Sequence, residues 1–255
     1  MGSPNEGKYL YGIIGTKDAR DFGPIGVGIR GDRVETIVYR DLSAVVSNVP
    51  RMVDYAVSRE DLLAHQRVLE RVMQEYTVLP VKFGTVADSA EEVRWLLEHR
   101  YQELEGLLRE LEGKVELGVK ALWRDIGRIF DEITEESGEV RRRRAEIAGK
   151  PPLQTYGQRI ALGQMVQAAL AAKKEHESEE ILGRLRPAAI DYRLNRTVGD
   201  RMLLNAAFLV DRRREEEFDR LVEELDLRYR ERITFRYVGP VPPYNFVSLG
   251  IRLGA

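Results

Sequence analysis

Apolar and polar residues alternate along the first part of the chain in a pattern that predicts β-strands. Residues 8–15, KYLYGIIG, have a period of two and predict a half-buried strand with one face toward the core. Residues 33–49, RVETIVYRDLSAVVSNV, are rich in β-branched side chains but too long for one strand. Because Arg40 and Asp41 stand at a plausible turn in its middle, this run is predicted to form two antiparallel strands joined as a hairpin.

A helical repeat follows the hairpin. Ser58 and Asp61 have the spacing of a capping box, and the apolar stripe behind them predicts a helix of about five turns. The stripe contains Leu62, His65, Leu69, Val72 or Met73, and Tyr76. Residues 77–86, TVLPVKFGTV, return to strand character. Pro80 predicts an edge strand or a bulge there, because proline has no backbone N–H to donate.

A second helix is predicted before residue 112. Asp88 is placed to cap it, Glu91 follows at the third helical position, and Gly113 is placed to end it. Its apolar stripe contains Val93, Leu97, Tyr101, Leu104, Leu108 and Leu111. We interpret residues 8–112 as an N-terminal α/β domain of order β-β-β-α-β, followed by this helix, which we expect to bridge the two halves of the chain.

The C-terminal half opens with a regular strand at residues 114–123, KVELGVKALW. Its alternation assigns an inner and an outer face. The inner face contains Val115, Leu117, Val119, Ala121 and Trp123, and the outer face contains Glu116, Gly118 and Lys120. Residues 125–186 have helical character except at residues 149–153, GKPPL, where glycine and proline mark a turn. This segment is therefore predicted to be an αα-hairpin.

Two more strands and a helix complete this half. Residues 188–195 and 202–210 predict strands, Asp211 is placed to cap a helix, and residues 230–238 predict a last strand. The order from residue 114 is β-α-β-β-α-β. That order is typical of the ferredoxin-like arrangement, in which four antiparallel strands lie against two helices.

These elements predict the α+β fold class, with two α/β units. The C-terminal unit, residues 113–238, is expected to be ferredoxin-like with the long helical hairpin 125–186 as an insertion. Gly239 and the prolines after it are predicted to end the last strand. A Pro-rich apolar tail, residues 239–255, remains. The tail residues predicted to contact a partner, or to clamp the two domains together, are Pro240, Pro242, Pro243, Tyr244, Asn245, Phe246 and Leu249.

Composition narrows the class of protein. Hydrophobic residues make up 43% of the 255 residues and charged residues 32%, which is the balance of a globular protein. A formal charge of -2 provides no global field for nucleic acid or an anionic membrane. The absence of cysteine excludes disulfides and thiolate chemistry. With neither a signal peptide nor a membrane span in the pattern, we expect a cytoplasmic protein.

Candidate catalytic and metal-binding residues are few. The histidines, His65, His99 and His176, lie far apart on predicted helices, so no metal site is expected. His65 falls on an apolar stripe, where a hydrogen-bonded core histidine is the favoured interpretation. The glycine-rich residues 23–28, GPIGVG, do not join a strand directly to a helix, so a phosphate cradle is not expected either.

Charged clusters are interpreted as solvated or internally paired. The carboxylates of residues 127–136 and 176–180 stand on helix faces rich in opposite charge. The run RRRR, residues 141–144, has acidic neighbours with which to pair. The central strands of the predicted ferredoxin-like sheet lack an outward aromatic pair, which disfavours RNA recognition. We therefore expect no catalytic residues, no cofactor, no metal, no nucleic-acid partner and no membrane partner.

Several segments together resemble one known family. They are YLYGI near the start, LSAVVS, HQRVLERVM followed by VLPVKFGTV, GKVELGVKALW, and the terminal YVGPVPPYNFVSL. In that order, from about residue 8 to residue 249, the chain resembles the gas vesicle GvpF/GvpL family. The Pro-Pro-Tyr-Asn-Phe segment is the most distinctive part of the match.

The resemblance implies a cytoplasm-made accessory protein of gas vesicle formation that is a minor vesicle component and not an enzyme. Its implied partners are the small hydrophobic shell protein, whose aggregation it would restrain, and other accessory proteins. It also implies an N-terminal α/β domain and a ferredoxin-like C-terminal domain. The resemblance leaves the F and L types open.

Two other functions stay open at this point. One is a ferredoxin-like small-ligand-binding or regulatory enzyme domain, which predicts a deep pocket between the halves with convergent polar groups. The other is a structural interaction protein unrelated to vesicles.

Overall fold

The computed structural model describes residues 6–27, 32–50, 58–247 and 249. Within these ranges the fold is mixed α+β, with two antiparallel sheets and seven α-helices. The chain divides into two compact units that are each built from separate chain segments. Unit 1 comprises Met1–Glu116, Asp211–Arg213 and Gly239–Ala255, and unit 2 comprises Leu117–Val210 and Arg214–Val238.

Unit 1 contains a six-stranded sheet and three helices. Its strands are β1 (Glu6–Gly15), β2 (Asp21–Gly23), β3 (Val34–Tyr39), β4 (Leu42–Pro50), β5 (Val78–Pro80) and β6 (Val86–Ala87). Its helices are α1 (Arg59–Met73), α2 (Ala90–His99) and α3 (Tyr101–Leu111). The strand order is β2-β3-β4-β1-β5, and β6 pairs with β1.

Strand β1 is the centre of this sheet, and the prediction that it is half-buried was wrong. Every residue from Tyr9 to Ile14 is buried, because β4 pairs along one side of the strand, β5 and β6 pair along the other, and helices α1, α2 and α3 pack against it. At Gly12 a Cβ would meet the backbone oxygen of Leu79 at 2.9 Å. This close approach requires glycine.

The hairpin prediction was confirmed, whereas the single strand predicted at residues 77–86 is two short strands, β5 and β6. Strands β3 and β4 pair antiparallel, with Tyr39 opposite Leu42, and Arg40 takes the turn conformation with φ of 53°. Pro80 ends β5, which lies at the edge of the sheet, where a missing N–H costs no ladder hydrogen bond.

The helix starts in unit 1 were predicted in part. Ser58 caps α1, since its hydroxyl accepts a hydrogen bond from the Asp61 N–H at 3.0 Å, as expected. The predicted stripe includes Leu62, which is exposed instead. The predicted cap Asp88 was wrong by one residue, because Ser89 accepts the Glu92 N–H at 3.2 Å and so begins α2.

The single helix expected before residue 112 is two helices. Arg100 leaves helical geometry at φ −110° and ψ 17°, and its side chain pairs with Glu103. The chain therefore changes direction between α2 and α3. Gly113 follows α3 with φ of 69°, a left-handed conformation that suits glycine after a helix end.

Unit 2 is built on a four-stranded sheet with strand order β10-β7-β9-β8. The strands are β7 (Lys114–Trp123), β8 (Asp191–Leu194), β9 (Met202–Asp211) and β10 (Ile233–Val241). The helices are α4 (Ile126–Glu136), α5 (Gly138–Ile147), α6 (Tyr156–Leu185) and α7 (Glu215–Tyr229). The first three residues of β7, the last residue of β9 and the last three of β10 belong to unit 1.

Three predictions for these elements need correction. The first arm of the helical hairpin is two helices, since the Ser137 hydroxyl accepts the Val140 N–H at 3.3 Å and restarts the chain as α5. Asp211 accepts the Arg213 N–H at 2.9 Å and so caps a short 3-10 turn before α7. Strand β10 continues through Gly239 and Pro240 to Val241, which an edge strand permits.

None of the helices in the described part of the chain is both long enough and apolar enough to span a membrane.

Candidate functional site

The C-terminal segment of unit 1 forms a compact turn directly after β10. The Tyr244 N–H donates to the carbonyl of Pro242 at 2.7 Å, and the N–H groups of Phe246 and Val247 both donate to the carbonyl of Pro243 at 3.1 Å. Prolines 242 and 243 fix φ and have no N–H, so they supply acceptors without leaving donors unpaired. We call residues 242–247 the C-terminal turn.

A buried carboxylate holds the C-terminal turn. Both oxygens of Glu116 accept hydrogen bonds from Asn245, one from its backbone N–H at 2.7 Å and one from its side-chain Nδ2 at 2.6 Å. Glu116 is only 4% exposed, although the alternation of β7 assigned it to the outer face. Burial raises its pKa, and the two hydrogen bonds from Asn245 oppose that rise.

No local signal in the sequence predicted this contact. Glu116 and Asn245 are separated by 129 residues, and neither belongs to a recognisable motif of paired polar residues. The indication in the sequence was an acidic residue between the apolar residues Val115 and Leu117. Glu116 is therefore a site residue that the sequence interpretation missed.

The tail residues differ in exposure. Pro242, Pro243 and Leu249 are buried, whereas Pro240 and Asn245 are exposed and Phe246 is half-buried. Tyr244 is 38% exposed. The pKa of Tyr244 is raised mainly by burial of its hydroxyl. The nearby carboxylates of Glu70 and Glu116 raise this pKa further. The assignment of these residues to a clamp or to a partner contact stays a prediction.

A cleft of about 170 Å³ borders the C-terminal turn within unit 1. Two cationic side chains line it. The Arg212 Nη2 donates to the carbonyl of Met73 at 3.3 Å, and the Lys114 Nζ donates to the carbonyl of Glu110 at 2.5 Å. The remaining lining comes from Gly113, from residues 73–78 and from residues 241–243.

The histidine and glycine motifs have structural roles. His65 is buried and its Nδ1 lies 3.0 Å from the hydroxyl of Tyr9, so the prediction of a hydrogen-bonded core histidine was confirmed. Burial lowers its pKa to about 4. At Gly26, a Cβ would meet the backbone oxygen of Asp32 at 2.4 Å, and the next N–H, of Val27, donates to the hydroxyl of Tyr11 at 2.6 Å. In the described ranges no three His, Asp or Glu side chains converge as metal ligands.

The charged clusters of unit 2 were predicted in part. Within the RRRR run, Arg143 pairs with Glu139 at 3.2 Å, and Arg142 lies 3.8 Å from Glu146, as expected for pairing inside the hairpin. The carboxylates of residues 127–136 and 176–180 were interpreted as solvated, and Glu177 departs from that interpretation. Glu177 is buried, and the Trp123 Nε1 donates to it at 2.7 Å.

Arg232 joins two of these carboxylates. Its guanidinium donates to Glu132 at 2.7 and 2.8 Å and to Glu177 at 2.6 Å. These hydrogen bonds from Arg232 lower the pKa of Glu132 to about 2, and Lys173 contributes further. We call Arg232, Glu132, Glu177 and Trp123 the Arg232 network.

Comparison with known proteins identifies the family. The family model described as "Gas vesicle synthesis protein GvpL/GvpF" matches residues 7–248. The chain belongs to the GvpL/GvpF family. The resemblance on which the sequence interpretation rested is thereby confirmed.

Individual GvpL/GvpF proteins are similar over nearly the whole chain. Gas vesicle protein F1 of Halobacterium salinarum is 31% identical over 251 residues, which cover 96% of this chain and 95% of that protein. Gas vesicle protein F of a Streptomyces species is 32% identical, covering 94% of this chain and 99% of the relative. Gas vesicle protein L of the same Streptomyces strain is 28% identical, and the match covers 95% of this chain and 93% of the relative.

Solved GvpF structures share the fold. The crystal structure of GvpF from Anabaena sp. PCC7120 superposes with a TM-score of 0.81 at 26% identity, covering 96% of this chain and all of that one. The crystal structure of GvpF from Microcystis aeruginosa gives a TM-score of 0.78 at 28% identity. The match covers 95% of this chain and 99% of that one. These names place the chain among gas vesicle proteins.

Proposed function

We propose that this chain is a gas vesicle assembly accessory protein and a minor vesicle component. In this proposal it binds the hydrophobic shell protein, and it limits shell-protein aggregation or helps to nucleate the vesicle. It also contacts other accessory proteins, is made in the cytoplasm and is delivered to the vesicle. Membership of the GvpL/GvpF family supports this role.

One observation in unit 1 supports a protein contact at the C-terminal turn. The turn presents the partly exposed ring of Tyr244 beside half-buried Phe246, while Glu116 fixes its backbone through Asn245. An aromatic ring on a fixed backbone loses little conformational entropy when it is covered. Such a ring suits contact with an apolar shell subunit.

A second apolar surface lies on the helical hairpin of unit 2. Leu153, Tyr156 and Ile160 are exposed at the start of α6, and residues 160–172 contain no charged residue. This uncharged part of α6 supports a role as a further shell-protein contact.

The finer fold assignment belongs to the same proposal. With the strands of unit 2 numbered 1 to 4 along the chain, the sheet order β10-β7-β9-β8 reads 4-1-3-2. That order, and the sequence β-α-β-β-α-β with α4 to α6 in the first connection, support a ferredoxin-like fold for unit 2.

The function is tested by co-expression with a tagged shell protein. We expect the chain to be captured with the shell protein and to reduce the sedimenting fraction of shell protein. If the wild-type chain is not captured and aggregation is unchanged, the proposed function is wrong.

Three variants locate the contact. Tyr244→Asp tests the C-terminal turn and Ile160→Asp tests the hairpin. Val198→Asp, at a loop residue that is 72% exposed, is the matched control. We expect Tyr244→Asp to reduce capture by at least fivefold while Val198→Asp leaves it unchanged. Loss only with Ile160→Asp would assign the contact to the hairpin.

A further inference from the structure

A groove lies in unit 2 between helix α7 and strand β10. It encloses about 600 Å³. The residues that line it are Asp219, Val222, Glu223, Asp226, Leu227, Phe235 and Tyr237. All of them belong to two elements that are adjacent along the chain, so one short segment builds the whole groove. The predicted tail contact does not involve these residues.

The floor of the groove is apolar. Val222 is buried, and Phe235 is half-buried. Tyr237 stands two residues beyond Phe235 on the same strand, so both side chains are on one face of the sheet. Leu227 is 70% exposed at the margin of the groove. An apolar side chain that entered here would cover surface that water now contacts.

The rim of the groove is acidic. Asp219, Glu223 and Asp226 recur at the spacing of one helix face, where like charges repel one another. The Asp219 Oδ1 accepts a hydrogen bond from the hydroxyl of Tyr237 at 2.5 Å. Glu223 and Asp226 form no ion pair with any residue in the described part of the chain. Two carboxylates therefore stand without a cation beside an apolar surface.

The strand that forms one wall is at the sheet edge. In the order β10-β7-β9-β8, β10 pairs on one side with β7, and no described strand pairs with its other side. An edge strand presents unpaired backbone N–H and C=O groups, and an extended peptide can add to it as a further strand. In such a strand alternate side chains would point toward α7 and into the groove.

We propose that this groove binds an extended segment of a protein partner in which every second side chain faces the groove, and in which these groove-facing residues are in turn apolar and lysine or arginine. The backbone of the segment pairs with residues 233–238 of β10, its apolar side chains cover Leu227 and Phe235, and its cationic side chains pair with Glu223 and Asp226. The groove residues differ from those of the C-terminal turn and of the start of α6, so this inference does not rest on the proposed function.

Two synthetic peptides test the site on the full-length protein. The probe is the fluorescein-labelled octapeptide KTLTKTLT, which has lysine and leucine on the same face when extended, and ETLTETLT is its acidic counterpart. We expect fluorescence anisotropy to show binding of the basic peptide at least tenfold tighter than that of the acidic peptide. Equal binding of the two peptides would overturn the proposal.

A matched pair of variants separates the groove from general attraction between charges. Glu223→Lys removes a groove carboxylate, whereas Glu224→Lys makes the same charge change at the next residue of α7, outside the groove. We expect Glu223→Lys to weaken binding of the basic peptide at least fivefold. Glu224→Lys should leave the affinity for this peptide within twofold of the wild-type value. Equal weakening by the two variants would contradict a specific site.

Hydrogen exchange tests the strand pairing separately. Saturating basic peptide is expected to slow amide exchange within residues 233–238. Leu227→Asn is expected to weaken binding of the basic peptide at least threefold. Because Leu227 is exposed, this substitution should not unfold the chain. Binding without any slowing in β10 would overturn the pairing.

Discussion

Glu116 and Asn245 show how a carboxylate is tolerated inside an apolar strand. Burying a charge is costly unless hydrogen bonds replace its water. Asn245 supplies two donors, one from the backbone and one from the side chain, at 2.7 and 2.6 Å. Even so, burial raises the pKa of Glu116 above its ordinary value, so the protonated form is favoured more in the folded protein than in the unfolded chain.

Asn245→Ala tests this pair. The substitution removes the side-chain donor and leaves the backbone donor, so we expect a loss of about 1–2 kcal/mol at pH 7. The side-chain donor of Asn245 lowers the pKa of Glu116, so its removal raises the folded pKa further and costs more stability as the pH rises and the carboxyl ionises. The variant should therefore lose less of its free energy of unfolding, relative to wild type, near pH 4 than at pH 7.

Urea denaturation at both pH values measures this difference. Glu116→Gln is the control, because the glutamine does not ionise. In that background the cost of Asn245→Ala should become independent of pH. A pH-independent cost in the wild-type background would contradict the argument.

His65 titrates in the opposite sense. Its folded pKa is lowered to about 4 by burial, from an ordinary value of 6.5. Between these values the unfolded chain binds a proton that the folded chain refuses, so stability falls as pH decreases from about 6.5 toward about 4. His65→Asn, whose amide takes the place of Nδ1 toward Tyr9, should lack this component.

Thermal denaturation between pH 7 and pH 4 checks the histidine prediction. The carboxylates titrate in both proteins, so the informative quantity is the difference in melting temperature between the wild type and His65→Asn at each pH. That difference should shrink as the pH falls. A constant difference would show that His65 is not the titrating group.

At the scale of elements, the Arg232 network joins the residue immediately before strand β10 to helices α4 and α6. One guanidinium donates to Glu132 on α4 and to buried Glu177 on α6. Removing one partner of such a network leaves a carboxylate buried without its cation. The network therefore matters to the packing of the hairpin helices on the sheet.

Arg232→Met is expected to destabilise unit 2 by about 3 kcal/mol. The control is Arg230→Met, because Arg230 pairs with Glu231 at the surface, and an exposed pair contributes less than about 1 kcal/mol. Both are measured by guanidinium denaturation. Equal effects of the two variants would show that the network contributes no more than a surface pair.

The elements that the sequence predicted are those specified by local pattern. Strands with a period of two, the cap at Ser58 and the turn at Arg40 depend on neighbours within a few residues. The helix breaks at Arg100 and Ser137 were missed because the apolar stripe continues across them. A stripe reports which face is buried, and it does not report a change in helix direction.

The candidate site was predicted only in part, for a related reason. The Pro-rich segment of the tail marks the turn by itself, since proline restricts its own φ and that of the residue before it. The anchor of the turn, Glu116, lies 129 residues away, and its pairing depends on the completed fold. The same holds for Arg232 and Glu132, which are separated by 100 residues.

At the scale of the whole molecule, the C-terminal segment is part of unit 1. Deletion of residues 242–255 removes both donors to Glu116 together with buried Pro242 and Pro243. Since β10 runs to Val241, this cut leaves the strand intact. We expect a clear fall in the melting temperature of the deletion variant.

Calorimetry of the deletion variant, with Tyr244→Asp beside it, separates the two interpretations of the tail. A large loss of thermal stability in the deletion, with normal stability in Tyr244→Asp, supports a structural role. Retained stability of the deletion together with lost shell-protein capture would support a pure partner contact instead.

The assembly of unit 1 from distant chain segments has a consequence for biosynthesis. Asn245 leaves the ribosome 129 residues after Glu116, which is roughly 6 to 26 s later at 5–20 residues per second. During that interval Glu116 must stay hydrated or protonated, and unit 1 cannot complete its packing. Unit 2 is synthesised almost entirely within the same interval. The first unit to begin folding is therefore the last to finish, and a nascent chain stalled before residue 242 would carry an incomplete unit 1.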